Sequence, residues 1–453
     1  MRKLLLLTIV YITLIFPAGG QNPLLEAYIA DGMESNHALR QRQLDYSISL
    51  AALKEARGLF FPEVSVNARY TMADGGRVIE FPVGDLLNPV YNTLNLLTAS
   101  QQFPQIENEE FSFYRAKEHE TKISVVQPIF NSDIIHNARI KGAQAALSAI
   151  DIDQYKRELV MEIKTAYYTY QQAHALRNLA DSTMLLVKEN LRVNQSLYKN
   201  DLRTIDAVYR AEAEVSKVAV ERARATQMLS ASRAYFNFLL NRELDSEISL
   251  HQEEPIALML SLDEGQDRAV SSREELDKVR QYRTVNDHLL KLHKGSALPD
   301  LSAAVDYGFQ GEEYTFTNED DFVLASLVFR WTLFQGLTNR NKIAQTRLEG
   351  EKLSSVLEET ELKIRMQVVN NYHAVLAAYD EVTAADKQLR SARSAFRLID
   401  RKYREDQATL LEYIDARTNF TQAESNLIIA TNAYFISLAE LEHATAGVDI
   451  NQY

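Results

Sequence analysis

The side chains in this chain best placed to do chemistry are carboxylates, and their spacing points to electrostatics rather than to catalysis. Thr409-Leu-Leu-Glu412 has the spacing of a capping box, in which the threonine hydroxyl and the glutamate each satisfy a free N–H at a helix start. Thr409 should therefore open a helix, with Asp415 one turn further on. On their own, Glu412 and Asp415 read as a capping carboxylate and a helix-surface carboxylate. Acidic pairs recur elsewhere, but no arrangement selects two of them for acid–base work. His288 and His293 lie five apart, a spacing that suits no helical metal pair, and they read as solvated. The chain has no cysteine, hence no thiol nucleophile and no thiolate ligand. It also lacks a nucleophile elbow and a phosphate loop.

Composition narrows the class. The formal net charge of -13 argues against nucleic acid, whose phosphates attract basic surfaces. A solvated acidic surface is the plain reading, and a conduit that attracts cations is the sharper one. Arg2 and Lys3 precede an apolar run over residues 4–16 and the small residues Ala18, Gly19 and Gly20. Residues 1–20 thus read as a signal peptide, cleaved near Gly20–Gln21. No later segment has the apolar length of a spanning helix, so any membrane crossing has to use strands. A lipid anchor on a mature N-terminal cysteine is excluded by the absence of that residue.

Glycine and proline show how the chain is organised. Neither occurs between Gly142 and Pro255, nor between Gly350 and Gly447. Stretches without helix breakers over such lengths point to extended helical hairpins. Leu159, Ile163, Ala166, Tyr170, Ala173 and Leu176 recur in steps of three and four, as do Ile364, Val368, Tyr372, Val375, Tyr379 and Val382. Such stripes mark one packed face, as in coiled coils. Each outgoing helix of about 73 residues would run for roughly 110 Å, with turns near 200–204 and 405–409. Shorter return helices should end near Asn241 and Ala446. Further helices are expected near 36–57 and 272–294, and the polar stretch 242–267 reads as a linker between the two halves, at the level of the C-terminal tail 448–453.

Four segments carry strand patterning: 62–72, 118–130, 299–311 and 321–334. In the first, Val64, Val66, Ala68, Tyr70 and Met72 alternate with Glu63, Ser65, Asn67, Arg69 and Thr71. One apolar and one polar face fit a barrel wall between lipid and water, with Tyr70 and Trp331 as interfacial aromatics. A soluble antiparallel sheet on a core would alternate in the same way. Segment 118–130 alternates less cleanly. Four strands cannot close a barrel, and an open edge is not tolerated in lipid. Spanning strands would therefore require several chains, and three copies give twelve strands, an even number in the known range. Residues 73–120 read as the larger exterior loop.

The unit is duplicated. Pro62-Glu-Val-Ser-Val-Asn-Ala-Arg-Tyr70 and Gln127-Pro-Ile-Phe130-Asn131 are echoed by Pro299-Asp-Leu-Ser-Ala-Ala-Val-Asp-Tyr307 and Trp331-Thr-Leu-Phe334-Gln335-Gly336, and Tyr198 to Thr204 by Tyr403 to Thr409. With these elements in this order, nearly all of the mature chain resembles the TolC-type outer-membrane efflux proteins. The resemblance implies a mainly helical fold with a membrane β-barrel: a homotrimer sharing a 12-stranded barrel in outer-membrane lipid, on a long periplasmic α-helical barrel. The first repeat would span 21–241 and the second 268–447. It implies no enzymatic activity and no cofactor, but a passive exit duct of a tripartite efflux or type I secretion system. Its implied partners are a periplasmic adaptor (membrane fusion) protein and, through it, an inner-membrane RND or ABC transporter. A periplasmic coiled-coil scaffold without a membrane barrel is the alternative.

The same resemblance implies that Asp201, Leu202, Thr204, Asp406, Gln407 and Thr409 form the tip that docks the adaptor. Glu412 and Asp415, with Tyr403 nearby, would line the narrow periplasmic aperture. The chain departs from the family in two ways. Asp201 and Asp406 stand where glycine is usual, and Ala408 stands where an arginine often latches the closed state. Thr204 is placed to cap its helix, but Ala207 replaces the acidic member of the box.

Overall fold

The computed structural model describes residues 22–453. The signal-peptide reading of residues 1–20 falls outside the described residues. The chain forms two compact units, one of residues up to 49 with 143–284 and 350–453, the other of residues 50–142 and 285–349.

In chain order the elements are α1 (Pro23–Ser35), α2 (His37–Gly58), β1 (Glu63–Met72), β2 (Val78–Phe81), α3 (Val83–Thr98), β3 (Glu109–Ser112), β4 (Lys117–Phe130), α4 (Ser132–Lys199), α5 (Ile205–Leu239), α6 (Leu262–Ser272), α7 (Glu274–Gly295), β5 (Asp300–Gly311), β6 (Asp321–Arg330), α8 (Thr338–Arg404) and α9 (Leu410–Ala444). The long helices α4 and α8 have 68 and 67 residues. Helix α8 starts at Thr338, because Gly336 and Leu337 both take left-handed backbone (φ +59° and +65°). β6 stops at Arg330, short of 334, because its pairing with β5 ends at Asp300, just after Pro299.

The smaller unit is built on an antiparallel sheet in the order β1-β4-β5-β6. Register sorts its two faces. Val66, Ile123, Tyr307 and Val323 stand opposite one another, as do Val64, Val125, Val305 and Ala325. This face is apolar and bare, with Val66 at 71% and Val323 at 70% exposure. The other face carries Arg69, Glu120 and Gln310 in one row, and Asn67 and Lys122 in the next. Lys122 bridges Glu120 at 3.1 Å and Asp306 at 3.0 Å. The irregular alternation of β4 has a local cause. His119 lies on the apolar face opposite Tyr70, where it is fully buried. The β5–β6 loop folds over it and stacks Tyr314 on its ring at 4.4 Å. Trp331 lies beyond the strand, half-exposed, its indole N–H donated to the Ala297 carbonyl at 3.0 Å. That combination of wet ring and satisfied N–H suits an interfacial aromatic.

Residues 73–120 are not a plain loop. They hold the β2–β3 hairpin and α3. Asn88 and Asn95 of α3 each make two hydrogen bonds to the backbone that follows, at Ile106 and Phe103. Side-chain amides thus replace a strand partner for that stretch.

The larger unit packs its core around α4. Leu159, Ile163 and Tyr167 are fully buried with Phe236 and Val375, and Tyr168 stacks on Phe435 at 4.8 Å. The C-terminal tail is tied to this core by charge. Arg157 holds Glu274 at 2.6 Å and donates to the Val448 carbonyl at 2.9 Å, and Arg268 donates to the Gly447 carbonyl at 2.8 Å.

Nearby, in the last turn of α9, burial and then the Arg273 guanidinium hold the His443 imidazole down at about 4. An unfolded chain takes up this proton near pH ~6.5. The contribution of the neutral ring is therefore complete above that pH and is lost as pH falls toward about 4, at most about 3 kcal/mol. A His443→Gln variant is expected to lose less stability on acidification over this window, read from the urea midpoint. A parallel loss in both proteins would exclude His443 as the source.

Candidate functional site

The candidate site is the pair of hairpin turns in the larger unit, α4–α5 and α8–α9. Both turns are built alike. Asp201 and Asp406 take left-handed backbone (φ +59° and +56°). The amide of Leu202 returns to the Leu197 carbonyl at 2.9 Å, and that of Gln407 to the Lys402 carbonyl at 2.8 Å. This is the Schellman ending, which favours glycine at the left-handed position. Aspartate is tolerated there because its short polar side chain suits that region better than most.

The two helix starts differ. Thr409 and Glu412 form a complete capping box: the Glu412 carboxylate accepts from the Thr409 amide at 2.7 Å and hydroxyl at 2.8 Å, and the Glu412 amide donates to the threonine oxygen. Thr204 has the cap backbone geometry, but its hydroxyl goes to Asp206 and caps no amide. Removing a capping hydroxyl costs about 1 kcal/mol. Thr409→Ala should therefore lower tip stability by that amount and Thr204→Ala by much less, measured by hydrogen exchange of the first-turn amides. Equal effects would show that the box is not the source.

Four contacts tie the two turns together. Within its own hairpin Tyr403, 8% exposed, stacks on Tyr413 at 4.8 Å. Its hydroxyl donates to the Asn194 amide oxygen on α4 at 3.2 Å. Arg203 reaches across to Asp406 at 2.8 Å and lies 5.3 Å from the Tyr403 ring centre. Arg417, 3% exposed, pairs with Glu214 of α5. Ala408 is buried in the cluster of Ala207, Tyr403, Leu410 and Tyr413, a setting that selects a small side chain. Arg203, supplied by the other hairpin, is the arginine that lies over the Tyr403 ring.

The expected site residues are thus separated by exposure. Glu412 and Asp415 are exposed on α9, as are Asp201, Leu202, Thr204, Asp406, Gln407 and Thr409 on the turns, whereas Tyr403 is buried. The hydrogen bonds from Thr409 hold the Glu412 carboxyl below its usual range, so it stays charged. Asp415 accepts from the Asn419 amide at 3.2 Å. The sequence reading missed Asn194, Arg203, Glu214 and Arg417. One signal existed: Arg417 interrupts the apolar run Leu410, Tyr413, Phe420, Ala423. His288 and His293, expected to be solvated, are half-buried. Among the described residues no cluster of three or more His, Cys, Asp or Glu is placed to hold a metal ion. No described helix is long and apolar enough to cross a membrane.

Residues 266–447 match the outer membrane efflux protein family. Over 424 residues the chain is 19% identical to the outer membrane protein TolC of Salmonella enteritidis, covering 90% of this chain and 79% of that protein. It is 20% identical, with the same coverage, to TolC of Escherichia coli (strain K12). Its fold is similar to the crystal structure of the Campylobacter jejuni CmeC outer membrane channel, with a TM-score of 0.77, 13% identity, and coverage of 94% of this chain and 88% of that one.

Proposed function

We propose that this chain, a TolC-type outer-membrane efflux protein, is a passive exit duct in the outer membrane that extends into the periplasm. The observation that carries the reading is the four-stranded sheet. Its outer strands β1 and β6 each have an unpaired edge, and its apolar face is bare. In lipid an open edge is not tolerated, so three copies would close a shared barrel of twelve strands. The polar face, with Lys122, Glu120 and Asp306, would then line water.

The two repeats, 21–241 and 268–447, joined by 242–267, would each supply two strands and one long hairpin. The exposed turn residues Asp201, Leu202, Thr204, Asp406, Gln407 and Thr409 would dock a periplasmic adaptor, with an inner-membrane RND or ABC transporter behind it. Glu412 and Asp415 would ring the aperture, and Tyr403 would hold the hairpins beneath it. The chain carries no energy source of its own in this reading, and the pump selects the cargo.

The test is the mass of the detergent-extracted protein from the outer-membrane fraction. A trimer is expected. A soluble monomer in the periplasmic fraction would overturn the duct in favour of a coiled-coil scaffold.

A further inference from the structure

The segment between β1 and β4 leaves a second apolar surface bare, and its β2–β3 ribbon continues the sheet. The β1–β4 ladder ends at Met72 and Lys117. The Ala73 amide then donates to the Ala116 carbonyl at 3.1 Å, and the Phe113 amide to the Arg77 carbonyl at 2.9 Å. From there Val78 pairs with Ser112 and the ribbon runs on to Phe81 and Glu109. Between those two bonds Gly75 and Gly76 have positive φ (+75° and +113°), backbone that lets the ribbon turn aside from the sheet. Ile79, Phe81 and Phe111 share one face of the ribbon, with Glu109 at its far end, and Glu80 and Glu110 lie on the other. Both faces are exposed.

Helix α3 is also one-sided. Leu86, Val90 and Leu97 lie four and seven residues apart, hence on one side of the helix. Leu96 adjoins them, and Leu96 and Leu97 are 82% and 76% exposed. The helix carries one charged residue, Asp85, in its first turn. Its asparagines and threonines are already engaged within the segment. Asn88 and Asn95 hold the backbone at Ile106 and Phe103, and Asn92 accepts from the Gln105 amide at 2.8 Å. Thr93 and Thr98 donate back to the Pro89 and Leu94 carbonyls at 2.9 and 2.7 Å.

A protein partner is recognised largely through polar groups around such a patch, and here they are turned to the segment's own backbone. A lipid surface asks only for an apolar face free of charge, backed by a polar one. We infer that α3 and the β2–β3 ribbon rest on the lipid surface of the outer membrane, at the boundary of head groups and acyl chains, with Leu86, Val90, Leu96 and Leu97 toward the chains. Phe113 and Tyr114, exposed at the root of the ribbon, are the aromatics that this boundary favours. The contact rests on the duct reading, which sets the bare face of β1 and β4 against lipid and so the root of the segment at the membrane edge.

The chain has no cysteine, so single introduced cysteines can carry an environment-sensitive fluorophore. Leu97→Cys, Glu110→Cys and Val66→Cys are labelled in the full-length protein and reconstituted in phosphatidylcholine vesicles. Each is read with doxyl-labelled phosphatidylcholine and with iodide on both sides of the membrane. The doxyl lipid is expected to lower emission at Leu97 about twofold while iodide does little. At Glu110, on the polar face of the ribbon, the order is reversed. Val66 reports the barrel wall separately. Lipid quenching at Val66 with iodide quenching at Leu97 would overturn the contact and leave the duct standing. A Leu97 label shielded from both quenchers would show a second copy covering the helix, and would overturn the lipid contact as well. Absence of lipid quenching at Val66 would overturn the duct reading, and the contact with it.

Discussion

Removing the charges of Glu412 and Asp415 together is expected to raise the divalent-cation concentration that half-blocks conductance by about tenfold or more. In the proposed trimer each residue would be present three times, and six carboxylates would surround one axis. Like charges brought close together repel, and a bound cation relieves that repulsion. Losing even about 1.4 kcal/mol of cation binding is a tenfold change. The structure dictates the choice of variant. Glu412 also completes the Thr409 capping box, so alanine there would remove a cap as well as a charge. Glutamine keeps the box, which makes Glu412→Gln/Asp415→Asn the clean pair. Single-channel recording with added divalent cations decides it, and block unchanged in the glutamine–asparagine variant removes these residues from the aperture.

The second large effect is expected at Arg417. Arg417→Met should destabilise the hairpin pair by about 3 kcal/mol and raise the conductance of the unpartnered channel. The guanidinium is buried and bridges α9 to Glu214 of α5. Its loss leaves a carboxylate only 19% exposed without its cation. Breaking a buried pair costs more than the pair contributes, because the remaining charge stays desolvated. A Glu214→Leu/Arg417→Met double variant should therefore recover part of the lost stability. The exposed Arg203–Asp406 pair, with the Asp406 side chain 81% exposed, should cost under about 1 kcal/mol when cut. Thermal melting and bilayer conductance of the three variants test this ordering. An Arg417→Met protein that melts and conducts like the parent would mean that this pair does not hold the hairpins together.

Much of the site was legible because it is local. The capping box at Thr409 needs only residues three apart. The left-handed aspartates sit where a helix has to stop, and the chain marks both places by matching Tyr198–Thr204 with Tyr403–Thr409. The cross-hairpin contacts were not legible. Arg203 and Asp406 are 203 residues apart, as are Glu214 and Arg417, and no local pattern reports a partner at that separation. Tyr403 shows the same limit. The family resemblance groups it with Glu412 and Asp415, yet it is buried against Tyr413 while they face water.

By itself the amino-acid sequence determined the element types. Long stretches without glycine or proline force long helices, and period-two alternation forces strands with two unlike faces, because both rules act between near neighbours. The strand order β1-β4-β5-β6, the loop folded over His119, the hairpin and helix within 73–120, and the ion pairs between the hairpins were decided only by tertiary structure. Each depends on which distant surfaces meet, and that is settled by burying apolar faces and pairing desolvated charges across the fold, not by the order of residues along one segment.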